Sequence, residues 1–439
     1  MTIDIKEQKI RKRFSFLDLL LSAIGSTIGA AVFVLLPIGI NMVGLGVIFS
    51  LLIASLITII VVFNYGELAA ALPFEGGGYS WVAEAFGKES SSFIVGWLVW
   101  LGNMGFVALS ALGFSIYAGI LFNLTNPIPL ALLSLLIFVI LNVITMKTSI
   151  TIEKTLTVII LLIFLLFWVY LGTSFNPNNL QYTFSQVEFI KIFPVASLLY
   201  VLFIGFEAIS TVSAEAKRST DLPKSFIYCI AIVTSVYIVT SLMIIGVTFP
   251  DGMKNQETLL SISGPITPLI ALAAIFATLT SVNAGLIAAS RNVYALSRDG
   301  MLPNFIGKIS RDFSTPFIAV ILSGFITCLL IITNAVEYVA SIADFSYLIT
   351  ISMVCSSVVF LRITDPELKR FYKVPFYPYT SILGIILPIF LLLFLEETAL
   401  HTGLVWILVG FFVYSLYKIL KSEAREKETK FWLFLRRFI

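Results

Sequence analysis

Residues 19–40 read LLLSAIGSTIGAAVFVLLPIGI. The segment matches the roughly 20 apolar residues needed to cross a bilayer core as a helix. Its centre, Ser22-Ala23-Ile24-Gly25-Ser26-Thr27-Ile28-Gly29, breaks the apolar pattern. Gly25 falls about nine residues into the block that begins at Phe16. At the rise of an α-helix that is roughly 14 Å, close to the midplane. Clustered Gly, Ser and Thr lower helix propensity and free backbone groups. The stretch reads either as a break in the helix or as a small-residue face for close helix packing.

Comparable apolar blocks recur at 43–71, 92–122, 128–145, 155–172, 190–213, 226–249, 265–290, 316–333, 337–361, 379–396 and 399–419. With 16–40 they make twelve expected transmembrane helices, since unalternating blocks of this length read as helices and not as barrel strands. Composition agrees: 59% of the 439 residues are hydrophobic and 12% are charged, about half the charge of a soluble chain. The net charge of +3 gives no sign of nucleic-acid binding. Cys229, Cys328 and Cys355 lie in apolar blocks without metal or disulfide spacing. His401 reads as a loop histidine with no metal partners. The basic N-terminus runs into a long block without a small-residue cleavage site, so that block is expected to be retained as the first helix.

Lys and Arg sort by side. With twelve spans, one side collects the N-terminal cluster, Lys88, Lys147, Lys154, Lys217, Arg218, Lys224, Arg291, Arg298, Lys308, Arg311, Arg362, Lys369, Arg370, Lys373 and the basic tail. The other side has Lys191 and Lys254. Both termini are therefore expected in the cytoplasm, in a multi-pass plasma-membrane protein with no soluble domain. The ending FWLFLRRFI reads either as a membrane-surface segment or as a frayed tail.

Two more spans carry unusual stretches. Phe203-Ile204-Gly205-Phe206-Glu207 puts a glycine and a carboxylate near the middle of the sixth block. An ionisable residue there is a functional hypothesis by default, the alternative being a buried structural acid. Thr278-Leu279-Thr280-Ser281-Val282-Asn283 in the eighth block suggests ion or substrate contact, or interhelical hydrogen bonds. The first and sixth spans are five apart. An odd offset places a second five-helix unit upside down relative to the first, and paired interruptions point to an inverted-repeat transporter with a midplane site. Half-helix N-termini would face a carboxylate and freed carbonyls an ammonium. An amino acid carries both.

Five stretches then match one family. GSTIGAAVF (25–33) is similar to its glycine-rich first-helix pattern, with Ala31 and Val32 in place of the usual Gly and Ile. YGELAAALPFEGGGYSWVAEAFG (65–87), FIGFEAISTVSAEAKRSTDLPKS (203–225), SRNVYALSRDGMLPNFIGKIS (290–310) and LRITDPELKRFYKVPFYP (361–378) follow in order. The chain resembles the amino acid–polyamine–organocation superfamily of transporters along most of its length. The departures are a reduced acidic pair at Glu215-Ala216 and a missing Asn-Pro in the third stretch.

The resemblance implies an all-α membrane fold, the 5+5 inverted repeat of leucine-transporter type plus two C-terminal helices. The expected parts are an N-terminal segment 1–15, a first repeat 16–172, a second repeat 190–361, two helices over 379–419 and a tail 420–439. It implies a site between the broken first and sixth helices. Gly25, Ser26, Thr27, Ile28, Gly29 and Ala30 would hold the substrate carboxylate, Phe203, Ile204 and Gly205 the ammonium, and Phe206 would close the site. Asn103, Ser281 and Gly285 would line the side-chain pocket. Glu207 would serve proton-linked gating.

The expected function is alternating-access transport of amino acids, neutral or broad in specificity, proton-coupled or by exchange. Buried carboxyls suit proton carriage, which brings in Glu67 beside Glu207. Thr280 and Ser281 would form a sodium site with helix 1 carbonyls. H+ or Na+ is the only cofactor-like ligand expected. Polyamine or cationic amine transport is the alternative substrate class. A channel lacks its charge or carbonyl rings here. A membrane enzyme lacks a nucleophile with its base, a metal cluster or a carboxylate pair. A transporter-like sensor would add a signalling domain.

Overall fold

The computed structural model describes residues 14–73, 77–124, 126–144, 150–185, 187–247, 259–310, 313 and 315–435. Most of the expected segment 1–15, Lys147, Lys254, Arg311, Arg436 and Arg437 lie outside the described residues, as do 74–76 of the second matching stretch.

Apolar runs too long for strands make helices, and among the described residues no strand forms. The helices are α1 (Phe16–Thr27), α2 (Ala30–Val43), α3 (Gly46–Ala71), α4 (Gly77–Phe86), α5 (Ser90–Leu121), α6 (Ile128–Ile144), α7 (Ile150–Gly172), α8 (Pro177–Ser185), α9 (Ile192–Leu198), α10 (Asp221–Val247), α11 (Thr267–Arg298), α12 (Phe317–Ile332), α13 (Val336–Thr364), α14 (Tyr379–Leu392) and α15 (Glu397–Leu435). Between α9 and α10 the chain narrows into two 3₁₀ segments, Tyr200–Phe203 and Phe206–Glu215.

Seven helices are long and apolar enough to span a bilayer, and two bent pairs raise the number to nine. They carry Leu162, Leu165, Val169, Leu404, Leu408 and Phe412 exposed, and the shorter helix α6 adds Leu133 and Leu136. So many large apolar side chains left exposed are what lipid covers. The molecule is a multi-pass membrane protein.

Most expected blocks coincide with helices to within a few residues. α4 and α8 add short helices where connections were expected. The last helix runs unbroken to Leu435, so residues 420–435 continue α15 past the candidate span, which ends at Ser422.

Two features fix the centre. α1 and α2 meet at 51° across Ile28 and Gly29. The helix pair from Phe189 to Ser210 bends by 50° around Leu199. The start of α1 is secured by a capping box between Ser15 and Asp18. The Phe14 carbonyl accepts from the Lys217 amide at 2.9 Å, and the Phe14 amide donates to Glu215 at 3.2 Å. The entrance of the first helix is thus stitched to the exit of the sixth span.

Candidate functional site

The first break lies slightly later than the glycine cluster suggests. Gly25, Ser26 and Thr27 are helical, inside α1. Ile28 leaves the helical region, and its amide still donates to Ile24 at 2.7 Å. The Gly29 amide donates to the Thr27 carbonyl at 2.9 Å. These amides are therefore engaged, which corrects the expectation that the whole run from Gly25 to Ala30 is available to an anion. Donors free of intrahelical partners belong to the first turn of α2, from Ala30 onward, as at any helix start. Gly29 caps that turn without a side-chain hydrogen bond.

The second break is sharper. Ile204 is extended (φ −84°, ψ 148°) and Gly205 has φ +121°, a region that L side chains rarely enter. The Gly205 amide donates to the Glu207 carboxylate at 2.8 Å, and its carbonyl accepts from Ala208 at 3.0 Å. Glu207 thus folds back onto the break that precedes it.

The two breaks touch. A Cβ on Gly205 would collide with the carbonyl of Ser26. Tyr237, fully buried in α10, donates to both sides: its hydroxyl lies 2.9 Å from the Leu202 carbonyl and 3.2 Å from that of Thr27. Tyr237 was not foreseen, because a tyrosine in an apolar block gives no sign of what its hydroxyl reaches.

Three expected pocket residues also converge. A Cβ on Gly29 would lie 2.6 Å from the Ser281 hydroxyl and 3.5 Å from the Phe106 ring. One on Gly285 would lie 3.4 Å from the same ring and 3.6 Å from the Asn103 carbonyl. Phe106 therefore joins Gly29, Gly285 and Asn103, and the Asn103 side chain accepts from the Tyr347 hydroxyl at 3.2 Å. Phe203 is fully buried and meets the Tyr237 ring edge-on. Phe206 packs edge-on between Tyr65 and Phe226, on the side of α3 and α10.

Thr280 does not join the site. It is exposed on α11, and its hydroxyl turns back to the Phe276 and Ala277 carbonyls. Consecutive helical residues point about 100° apart, so Ser281 faces Gly29 while Thr280 faces outward. A sodium site from this pair and helix 1 loses half of its side-chain ligands. Asn283 accepts from Asn142 of α6 at 2.9 Å, the interhelical hydrogen bond anticipated as the plainer reading.

Glu67 is 2% exposed at the end of α3 and accepts two bonds from Arg362, at 2.9 and 2.5 Å, and one from the Val374 amide at 2.7 Å. Arg370 adds an ion pair at 3.2 Å. Burial and the Glu67 charge push Tyr372, in the adjoining loop, up to about 12. Two arginines and a backbone amide hold this carboxylate, so Glu67 ties the end of α3 to the end of α13 and the loop that follows it.

A further acid, which the sequence does not single out, lies against α1. Glu153 of α7 accepts from the hydroxyls of Ser22 and Ser26 at 2.6 Å each, and its neighbour Lys154 pairs with Asp18 at 2.5 Å. Together they fasten α1 along α7.

The sequence comparisons fit this arrangement. A family model described as amino acid permease matches residues 14–416. The chain is 28% identical to a branched-chain amino acid permease of Bacillus subtilis (strain 168), with 96% of each chain covered. It is 27% identical to a methylthioribose transporter of the same organism, covering 94% of each. A branched-chain amino acid permease of Lactococcus lactis subsp. cremoris (strain MG1363) is 26% identical, over 91% of this chain and 93% of the relative. Two touching helix breaks and a family match over nearly the whole length agree: this chain belongs to the amino acid permease family.

Proposed function

We propose that the protein carries amino acids across the plasma membrane by alternating access, holding the substrate where the two helix breaks meet. The observation that carries this reading is the direct contact of the breaks, Gly205 against Ser26, with Tyr237 hydrogen-bonded to both sides. The first turn of α2 offers amides to the substrate carboxylate, centred on Ala30, with Gly29 giving close approach. Phe203, Ile204 and Gly205 offer carbonyls to the ammonium. Asn103, Phe106, Ser281 and Gly285 surround the side chain.

This lining is neutral and largely apolar, which favours neutral substrates over polyamines. The names of two relatives, both branched-chain amino acid permeases, point the same way. Glu207 links the break to proton-driven gating, because any change in its charge alters the bond to Gly205.

The architecture proposed is twelve spans. Three shorter apolar helices, α6, α12 and α14, add to the nine span candidates. Two inverted repeats over 16–172 and 190–361 are supported by the nearly equal bends of 51° and 50° in spans five apart. The Lys and Arg distribution supports cytoplasmic termini.

Ligand-induced thermal stabilisation of the purified protein tests the site. Neutral amino acids should raise the unfolding temperature of the wild type and leave Gly205→Ala unchanged. Equal stabilisation of both would move the site away from the break.

A further inference from the structure

Asp344 stands apart from every other acid described above. It lies eight residues into α13 and is 0% exposed, and neither carboxylate oxygen has a hydrogen-bond partner among the described residues. None of the described ion pairs includes it. α13 packs against the 3₁₀ segment Tyr200–Phe203, whose backbone at Val201 approaches the carboxylate. A buried polar atom without a partner is rare in native structures and calls for an explanation. An isolated carboxylate in a membrane interior is tolerated only when a cation or a proton neutralises it.

The surroundings select between these. Asp344 and Glu207 both act electrostatically on Tyr200 and Tyr347. α5, α9 and α14, which pack against α13, contain no acidic or basic residue, and Glu84 of α4, which also packs there, is exposed. Glu397 and His401 of α15 are exposed on its surface. Glu67 of α3 is engaged with Arg362, eighteen residues along α13 from Asp344 or roughly 27 Å. A divalent cation draws on several carboxylates, and among the described residues no group of three or more His, Cys, Asp or Glu side chains gathers. A proton needs one oxygen and no space.

We propose that Asp344 is the binding site of a co-transported proton, a role resting on the amino acid transport reading above. Val201, in the segment packed on α13, is two residues from Phe203 and four from Gly205. Substrate held by these residues and a proton held by Asp344 therefore act on one short segment. The proton enters from the outer water onto a carboxylate oxygen, closes the segment onto α13, and leaves to the cytoplasm when the segment moves away.

Vesicles reconstituted with wild type, Asp344→Asn and Asp344→Glu provide the test, with an inward gradient of one pH unit, the potential clamped, and a pH dye inside. One proton per substrate then supports accumulation of about tenfold. Wild type should accumulate a neutral amino acid and acidify the lumen. Asp344→Asn should equilibrate it without accumulation or acidification, and still exchange it with preloaded amino acid at a measurable rate. Asp344→Glu should restore accumulation with a displaced pH midpoint. Wild-type accumulation by Asp344→Asn, or an unshifted midpoint in Asp344→Glu, would overturn the assignment. Wild-type uptake without acidification would overturn it while leaving transport standing. No uptake by wild type would remove both.

Discussion

Gly205 rests so closely on the carbonyl of Ser26 that no other residue fits there. The contact joins the break in the sixth span to the last turn of α1, and the positive φ of Gly205 adds a second reason for glycine. Substituting alanine demands both a strained backbone, worth about 1–3 kcal/mol, and a shift of α1. Gly205→Ala should lower uptake at least about tenfold, the rate equivalent of some 1.4 kcal/mol. The protein should still elute as a single species. Uptake within twofold of wild type would show that the break tolerates a Cβ.

Tyr237 ties both breaks with one hydroxyl. Tyr237→Phe removes the one hydroxyl hydrogen that the Leu202 and Thr27 carbonyls share, at a cost of about 1–3 kcal/mol. Thermal unfolding in detergent should show a lower midpoint. An unchanged midpoint would mean that water replaces the hydroxyl.

Glu67 and Arg362 behave as one unit. Arg362→Ala leaves a buried carboxylate with one remaining arginine, and loss of a partner from a buried pair costs about 3–5 kcal/mol. The double variant Glu67→Gln/Arg362→Ala should be more stable than Arg362→Ala alone. Additive losses in the cycle would show that the two side chains act independently.

Much of this was legible in the sequence, for reasons that can be traced. Apolar blocks reported the helices because lipid leaves the backbone no alternative. Gly25 to Gly29 and Gly205 reported the two interruptions because weak helix formers cluster there. The exact break at Ile28 and Gly29 was not legible, since it depends on which amides keep their partners. Pairings across the fold were also hidden. Glu67 and Arg362 are far apart in the chain, and only folding shows that their charges meet. Glu153 sits beside Lys154 in the sequence, and nothing in that neighbourhood shows that it accepts from two serines of α1. Thr280 was misread because two adjacent hydroxyls suggest one site, whereas a helix sends them in different directions.

Glu207→Gln separates charge from geometry. Glutamine keeps an oxygen for the Gly205 amide but does not titrate near neutral pH. Uptake measured from pH 5 to 8 should vary less steeply than in wild type. An identical profile would remove Glu207 from proton-linked gating and leave it as a cap on the break.

Uptake into liposomes tests the central claim most directly. Purified protein would be offered labelled leucine, isoleucine, valine, a set of other amino acids and polyamines, with an inward proton gradient, an inward sodium gradient, no gradient, or preloaded amino acid. Saturable uptake of neutral amino acids, driven by protons or by preloaded substrate and lost in Gly205→Ala, is the predicted result. Uptake of none of these compounds under any condition, by protein that remains folded, would contradict amino acid transport by this chain.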